Sequence, residues 1–162
     1  METLNINYLQ NHSEDFVQLS PFFIFDDVFE FQGYKFRNVY IFFEALKISE
    51  LDKRQEFLDF YLNKENIQKL FVIKNNKLSY TTKFNKKQID SLIFNNTEIL
   101  VPSLEMKNIF HNLYSVIALK NSAFKYALLT TKSLDISFPE LDENTSLLYI
   151  SSSLLVSILK TI

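Results

Sequence analysis

Residues 29–47 read FEFQGYKFRNVYIFFEALK, and the change of hydrophobic period inside this run decides the fold class. Its opening belongs to the stretch Phe22 to Phe31 (FFIFDDVFEF), whose aromatic and β-branched residues around an Asp-Asp pair predict two short strands turning at Asp26-Asp27. Gly33, the one glycine in the chain, is expected to close the second strand, where φ is positive or the backbone is crowded. From Arg37 onward Val39, Phe42, Phe43 and Leu46 recur at helical spacing, with Asn38 placed to act as N-cap. A strand pattern passing directly into a helix pattern predicts an α+β domain, predominantly helical with a few short strands.

Working outward, the spacing predicts a second helix over Glu50 to Leu62 with Leu51, Phe57, Leu58 and Tyr61 inward, and a third over Lys64 to Ile73. Lys74-Asn75-Asn76-Lys77 reads as a turn before the extended LSYTTKF, and Lys86 to Phe94 as a short amphipathic helix. Pro102 and Ser103 start the next helix, with Ile109, Phe110, Leu113, Val116 and Ile117 along its buried stripe. Ser122 caps a following helix that carries Phe124, Ala127 and Leu128. Leu134 to Phe138 and Leu147 to Ile150 are strand candidates, and Ser153 leads into a final helix ending at Ile162. Nothing in composition divides residues 1–162, so one domain is expected.

A chain of 162 residues removes roughly 70% of its unfolded surface from water, enough for one real core. Seventeen Phe and eight Tyr predict an aromatic interior, and the single Gly with three Pro argues against a many-stranded barrel. Seventeen basic against nineteen acidic side chains leave a net charge of -2, too little to draw the protein to nucleic acid or anionic lipid. Without Cys there is no disulfide, thiolate nucleophile or Cys-ligated metal, and two histidines, His12 and His111, are too few for a His-rich metal site. No metal or cofactor is expected. The amino terminus lacks a basic segment followed by an apolar run, and no stretch reaches the ~18 apolar residues of a membrane span, so a cytoplasmic protein is expected.

At about 100° per residue, Tyr40, Glu44 and Lys47 fall within an arc of roughly 60° on the first long helix, a polar stripe beside the apolar one. At the edge of a cleft, a phenol, a carboxylate and an ammonium can hold a ribose or phosphate and move a proton. On spacing alone, the competing reading is an ordinary i, i+3 Glu-Lys surface pair. Asp135, Glu140, Asp142 and Glu143 form either a cation or ribose site or a solvated acidic loop. His111 reads as a core or boundary histidine, and Ser151-Ser152-Ser153 as a helix start, since no Gly-rich context or following Lys makes it a phosphate loop.

The run LSPF at Leu19 to Phe22 followed by residues 29–47 resembles the NADAR family, which includes the YbiA-like N-glycosidases. Its members show a pattern like LSNF, then F-x-x-D-G-x-x-[YF]-x-S-V-E-H-x-[YF]-Q-A-x-K. Phe29, Gly33, Phe36, Val39, Phe43, Ala45 and Lys47 match in register. Farther on, Met106, Asn121, Leu128-Leu129 with Thr131, Asp142, and Leu155 with Leu159 follow the family's order of landmarks. The departures fall on polar positions. Tyr40 stands for the helix Glu, Ile41 for its His, Glu44 for its Gln, and Ile117-Ala118 for a Lys-Phe pair. Ile136 stands for a strand carboxylate, Ser153 and Val156 for a late Asn and Gly, and the Trp-Gly element is missing.

The resemblance implies a domain that binds a nucleotide or ADP-ribose-like ligand. Cleavage of an N-glycosidic bond needs a carboxylate or its equivalent to position water, and a donor for the leaving nitrogen. A phenol at Tyr40 carries no anion at neutral pH, so the resemblance implies weak or lost catalysis. Glu44 and Lys47 are then the catalytic candidates, and Tyr40, Asn38, Asp142 and Ser153 the ligand-binding ones. Two alternatives stay open: an active N-glycosidase acting on a ribosylated base or amine, and a non-catalytic structural subunit of a viral, phage or defence assembly with a protein partner.

Overall fold

The computed structural model describes residues 2–70, 72–74, 77–79, 91–100, 103–143 and 151–162. Strands β2 (Phe29–Phe31) and β3 (Tyr34–Phe36) form an antiparallel hairpin that pairs Phe29 with Phe36 and Phe31 with Tyr34. The turn between them is Gln32-Gly33, with φ of 53° and 83°. Two consecutive positive φ values suit the right-handed twist of a hairpin, and glycine takes the second without a Cβ penalty. The turn expected at Asp26-Asp27 is therefore displaced to Gln32-Gly33, and Phe22–Phe25 is not a strand. Asp26 is instead an exposed loop residue tied to Lys64, while its carbonyl accepts from Arg37. Lys64 holds the Asp26 carboxyl below the usual carboxylate range.

Helix α1 (Val39–Ala45) starts where expected, and Asn38 caps it by accepting the Ile41 N–H at 2.9 Å. Helix α1 differs from the striped helix of the sequence reading, because every residue from Val39 to Leu46 is buried. A helix apolar nearly all round belongs at the centre of a core. Phe42 packs on Phe31 and Phe36, and the Phe43 ring stacks on Phe110 with centroids 3.7 Å apart.

Helix α2 (Leu51–Phe60) buries Phe57 and Leu58, with Tyr61 just beyond it, but Leu51 is exposed and Arg54 is buried in its place. Arg54 reaches inward because its Nε donates to the Ile48 carbonyl at 3.0 Å and its guanidinium lies over the Tyr34 ring. Helix α3 (Lys64–Leu70) is followed by β4 (Val72–Lys74), which pairs with β5 (Lys77–Ser79), so Val72 and Ile73 at the end of the expected third helix are strand. Ser91 to Phe94, expected to be helical, form β6 (Ser91–Phe94), paired with β7 (Thr97–Leu100) across Asn95-Asn96. Both turn residues have positive φ, 50° and 62°, a conformation asparagine tolerates and which selects a hairpin over a helix. The extended run expected after the β5 residues, the first half of the Lys86–Phe94 segment and the Leu147–Ile150 strand lie outside the described residues.

Helix α4 (Leu104–Lys120) is capped by Ser103 and buries Met106, Ile109, Phe110, Leu113, Tyr114 and Ile117. Its neighbour α5 (Ser122–Thr131) is capped by Asn121, not by Ser122, through an Asn121 Oδ1 to Phe124 N–H bond of 2.8 Å. Asn121→Ala is therefore expected to lower unfolding free energy by about 1 kcal/mol, while Ser122→Ala stays within about 0.5 kcal/mol. Urea denaturation of the two variants checks the assignment, and equal losses would return the cap to Ser122.

The two-residue β8 (Ile136–Ser137) pairs in parallel with β1 (Leu4–Asn5), bringing the first residues of the chain beside α6 (Pro139–Glu143). Helix α7 (Ser152–Leu159), capped by Ser151, closes the core through Leu155, Ile158 and Leu159. The architecture is mixed α+β, about half helical, with short two-stranded sheets around the helical core. Among the described residues, no helix is long and apolar enough to cross a membrane.

Candidate functional site

The three residues singled out on α1 sit inside the protein and not along an open polar edge. Tyr40 and Glu44 are 0% and 3% exposed, and the Lys47 side chain, just past the helix end, is 8% exposed. Lys47 Nζ donates to Glu44 Oε1 at 2.7 Å, so the i, i+3 pair exists but is an interior ion pair, not a surface one. The Tyr40 ring packs against Phe22 at 5.6 Å, and the Tyr40 backbone N–H donates to the Pro21 carbonyl at 3.0 Å. Helix α1 is thereby pinned to the Leu19–Phe22 segment.

Taking a carboxylate and an ammonium out of water costs several kcal/mol per ion, which their attraction repays only when the geometry is good. Lys47 lies at the C-terminal end of α1, where the helix dipole favours a cation. An anionic group at that end of α1 would find its counter-charge in Lys47.

The other implied positions are dispersed. Asn38 is wholly buried, and its Nδ2 donates to the carbonyls of Phe22 and Phe23 at 2.8 and 3.1 Å while Oδ1 caps α1. Both ends of that amide are engaged by backbone. Ser153 is exposed on the first turn of α7, its hydroxyl 3.2 Å from that of Ser151. Asp142 belongs to α6, and its side chain lies outside the described residues. His111 is a boundary residue beside the Thr161 carbonyl.

The acidic segment divides in two. Asp135 is exposed and accepts from Thr3 Oγ1 at 2.6 Å, as a solvated loop residue would. Glu140 is 6% exposed, which overturns the solvated reading for that residue. Its Oε1 accepts the Leu9 N–H, and Oε2 accepts from Ser20 Oγ at 3.4 Å. Burial pushes its carboxyl up to about 7, against the opposing pull of the Leu9, Ser20 and Gln10 hydrogen bonds, and the neighbouring Glu14 carboxylate adds to the rise. The hint in the sequence is a lone Glu set between Phe138-Pro139 and Leu141, an apolar context that a loop reading passes over.

A pocket of about 450 Å³ that sequence reasoning missed opens beside this carboxylate. Tyr8, Leu9 and His12 of the N-terminal segment line it together with Ile24 and the α3 residue Gln68. The Tyr8 ring is held edge-on by His12 and Phe23, with centroids 4.8 and 5.2 Å away. Desolvation raises the Tyr8 phenol above its usual range, partly offset by a hydrogen bond with the Ile24 backbone, and Glu140 adds to the rise. Residues 7–12 carry no periodic pattern, and only the Tyr8 and His12 pair could have drawn attention to them. Among the described residues, no three acidic or histidine side chains converge as they would around a metal ion. Comparison with family models, with curated proteins and with solved structures returned no match to this chain.

Proposed function

We propose that the chain is a diverged NADAR-like domain that binds a nucleotide or ADP-ribose-like ligand through the Lys47 end of α1, with catalysis weak or lost. The observation that carries this reading is the buried Glu44–Lys47 pair on a helix otherwise packed all round by apolar groups. Buried ion pairs stabilise little compared with apolar side chains of similar volume. A carboxylate and an ammonium held together beside the aromatic core are groups suited to a ligand's phosphate or ribose hydroxyls. Tyr40, where the family has a carboxylate, supplies no anion to activate water, and this favours binding over turnover.

Isothermal titration calorimetry with ADP-ribose and with nucleoside monophosphates tests the reading. Saturable heat is expected, weakened at least tenfold in the paired variant Glu44→Leu/Lys47→Met, which removes both charges together. No heat up to millimolar ligand, or equal affinity in the paired variant, refutes it.

Glu44 favours one second reading, that of an active N-glycosidase. A carboxylate one turn from Tyr40 could orient water toward the anomeric carbon while the carbon–nitrogen bond breaks and Lys47 protonates the leaving nitrogen. That reading requires release of free base or amine from a ribosylated substrate, lost in Glu44→Gln.

A further inference from the structure

We propose that the pocket between the N-terminal segment and α3 is a second binding site, and that it takes an uncharged purine nucleoside. None of its lining residues lies on α1, so the proposal stands apart from the reading of the Glu44–Lys47 pair. Its volume, about 450 Å³, falls within the range of pockets that enclose small organic ligands. A bare ion or a single amino-acid side chain would leave most of that space unfilled.

The lining chooses the chemistry. Tyr8 and His12 bring two aromatic rings in contact with each other to the lining, with Leu9 and Ile24 supplying apolar surface. The Tyr8 ring is fixed in orientation by edge contacts to His12 and Phe23, so a planar heterocycle meets a wall that is already ordered. Gln68 is exposed at the rim, where its primary amide presents a donor and an acceptor side by side. That edge pairs bidentately with the amino and ring-nitrogen edge of adenine, as glutamine does in reading nucleic acids. Among the described residues that line the pocket there is no lysine or arginine, and the ionisable side chain bonded to the Leu9 backbone is the acidic Glu140. A phosphate would meet no lysine or arginine among these residues, which favours the nucleoside over the nucleotide.

Two-dimensional NMR on the full chain, following the ring signals of Tyr8 and His12 during titration with adenosine, tests the assignment. Saturable shifts at both rings are expected. Affinity should fall about tenfold in Gln68→Ala and in Tyr8→Leu, and AMP should bind more weakly than adenosine. His12→Ala and Gln68→Ala change exposed residues, so their melting temperatures should match the parent and their effect on affinity can be read without unfolding. The paired variant Glu44→Leu/Lys47→Met should bind adenosine as the parent does, which separates failure here from failure of the α1 reading. Absence of shifts up to the solubility limit of adenosine, tighter binding of AMP as read at the Tyr8 and His12 rings, or affinity unchanged in both Gln68→Ala and His12→Ala would each overturn the proposal.

Discussion

Lys47→Met alone is expected to lower the unfolding free energy by about 3 kcal/mol, and adding Glu44→Leu is expected to recover most of that loss. The single change leaves the Glu44 carboxylate, 3% exposed, in the aromatic core without the ammonium now 2.7 Å from it. A buried charge that loses its counter-ion faces its desolvation cost with little return, whereas removing both charges also removes that cost. The paired variant should lie within about 1 kcal/mol of the parent, on either side, because leucine and methionine fill similar volume without polar atoms. Urea denaturation of parent, single and paired variants checks this, provided the slopes with denaturant agree so that midpoints report stability. A single variant as stable as the parent would mean the carboxylate is solvated or otherwise satisfied, and the argument that the pair serves a ligand would lose its basis. A paired variant that is stable yet no longer takes up ADP-ribose would be the combination the binding reading requires.

The same helix shows what could be read from the residues and what could not. Asn38 as N-cap and the apolar register of Val39, Phe42, Phe43 and Leu46 follow from local rules, because a cap and a helical period are properties of consecutive residues. Whether the opposite face is also covered is a tertiary fact. Tyr40 is buried because the Leu19–Phe22 segment packs over its ring, and Glu44 is buried beside Lys47, neither of which a spacing rule announces. The hairpin turn moved from Asp26-Asp27 to Gln32-Gly33 because positive φ at two successive positions outweighs the general turn preference of aspartate. Ser91 to Phe94 went from expected helix to strand for a similar reason, the Asn95-Asn96 turn fixing what an apolar period left ambiguous. The pocket is the least legible part. Tyr8 and His12 meet Gln68 across some sixty residues, and the N-terminal segment is held there by contacts distant in sequence, among them the parallel pairing of Leu4 with Ile136, the packing of Tyr8 on Phe23 and the Glu140 contact to Leu9.

That last contact gives the second large effect. Glu140→Gln is expected to change stability little in acid solution and to stabilise the protein above neutrality. Burial raises the Glu140 carboxyl from its ordinary 4.5 to about 7 in the folded protein. Between these values the folded state holds a proton that the unfolded state has released, so the unfolding free energy falls as pH rises through that window. The full difference, reached above about pH 7, is on the order of 3 kcal/mol, and it vanishes below about pH 4.5, where both states are protonated. The groups around Glu140 pull both ways, and desolvation decides the direction. Glu14 is a like charge, Tyr8 is a neutral phenol, and its hydrogen-bond partners at Leu9, Gln10 and Ser20 lower the carboxyl without outweighing desolvation. Glutamine keeps an oxygen to accept the Leu9 N–H and can donate its amide hydrogen to Ser20 Oγ, while having no charge to bury. Relative to the parent, Glu140→Gln should therefore be nearly neutral at about pH 5 and more stable by about 2 to 3 kcal/mol at about pH 8. Taking the difference between the two proteins at each pH cancels the titration of every other carboxylate. A parent-to-variant difference that stays constant from acid to alkaline solution would show that Glu140 ionises at its ordinary value, and that the Leu9 contact is made by a solvated anion.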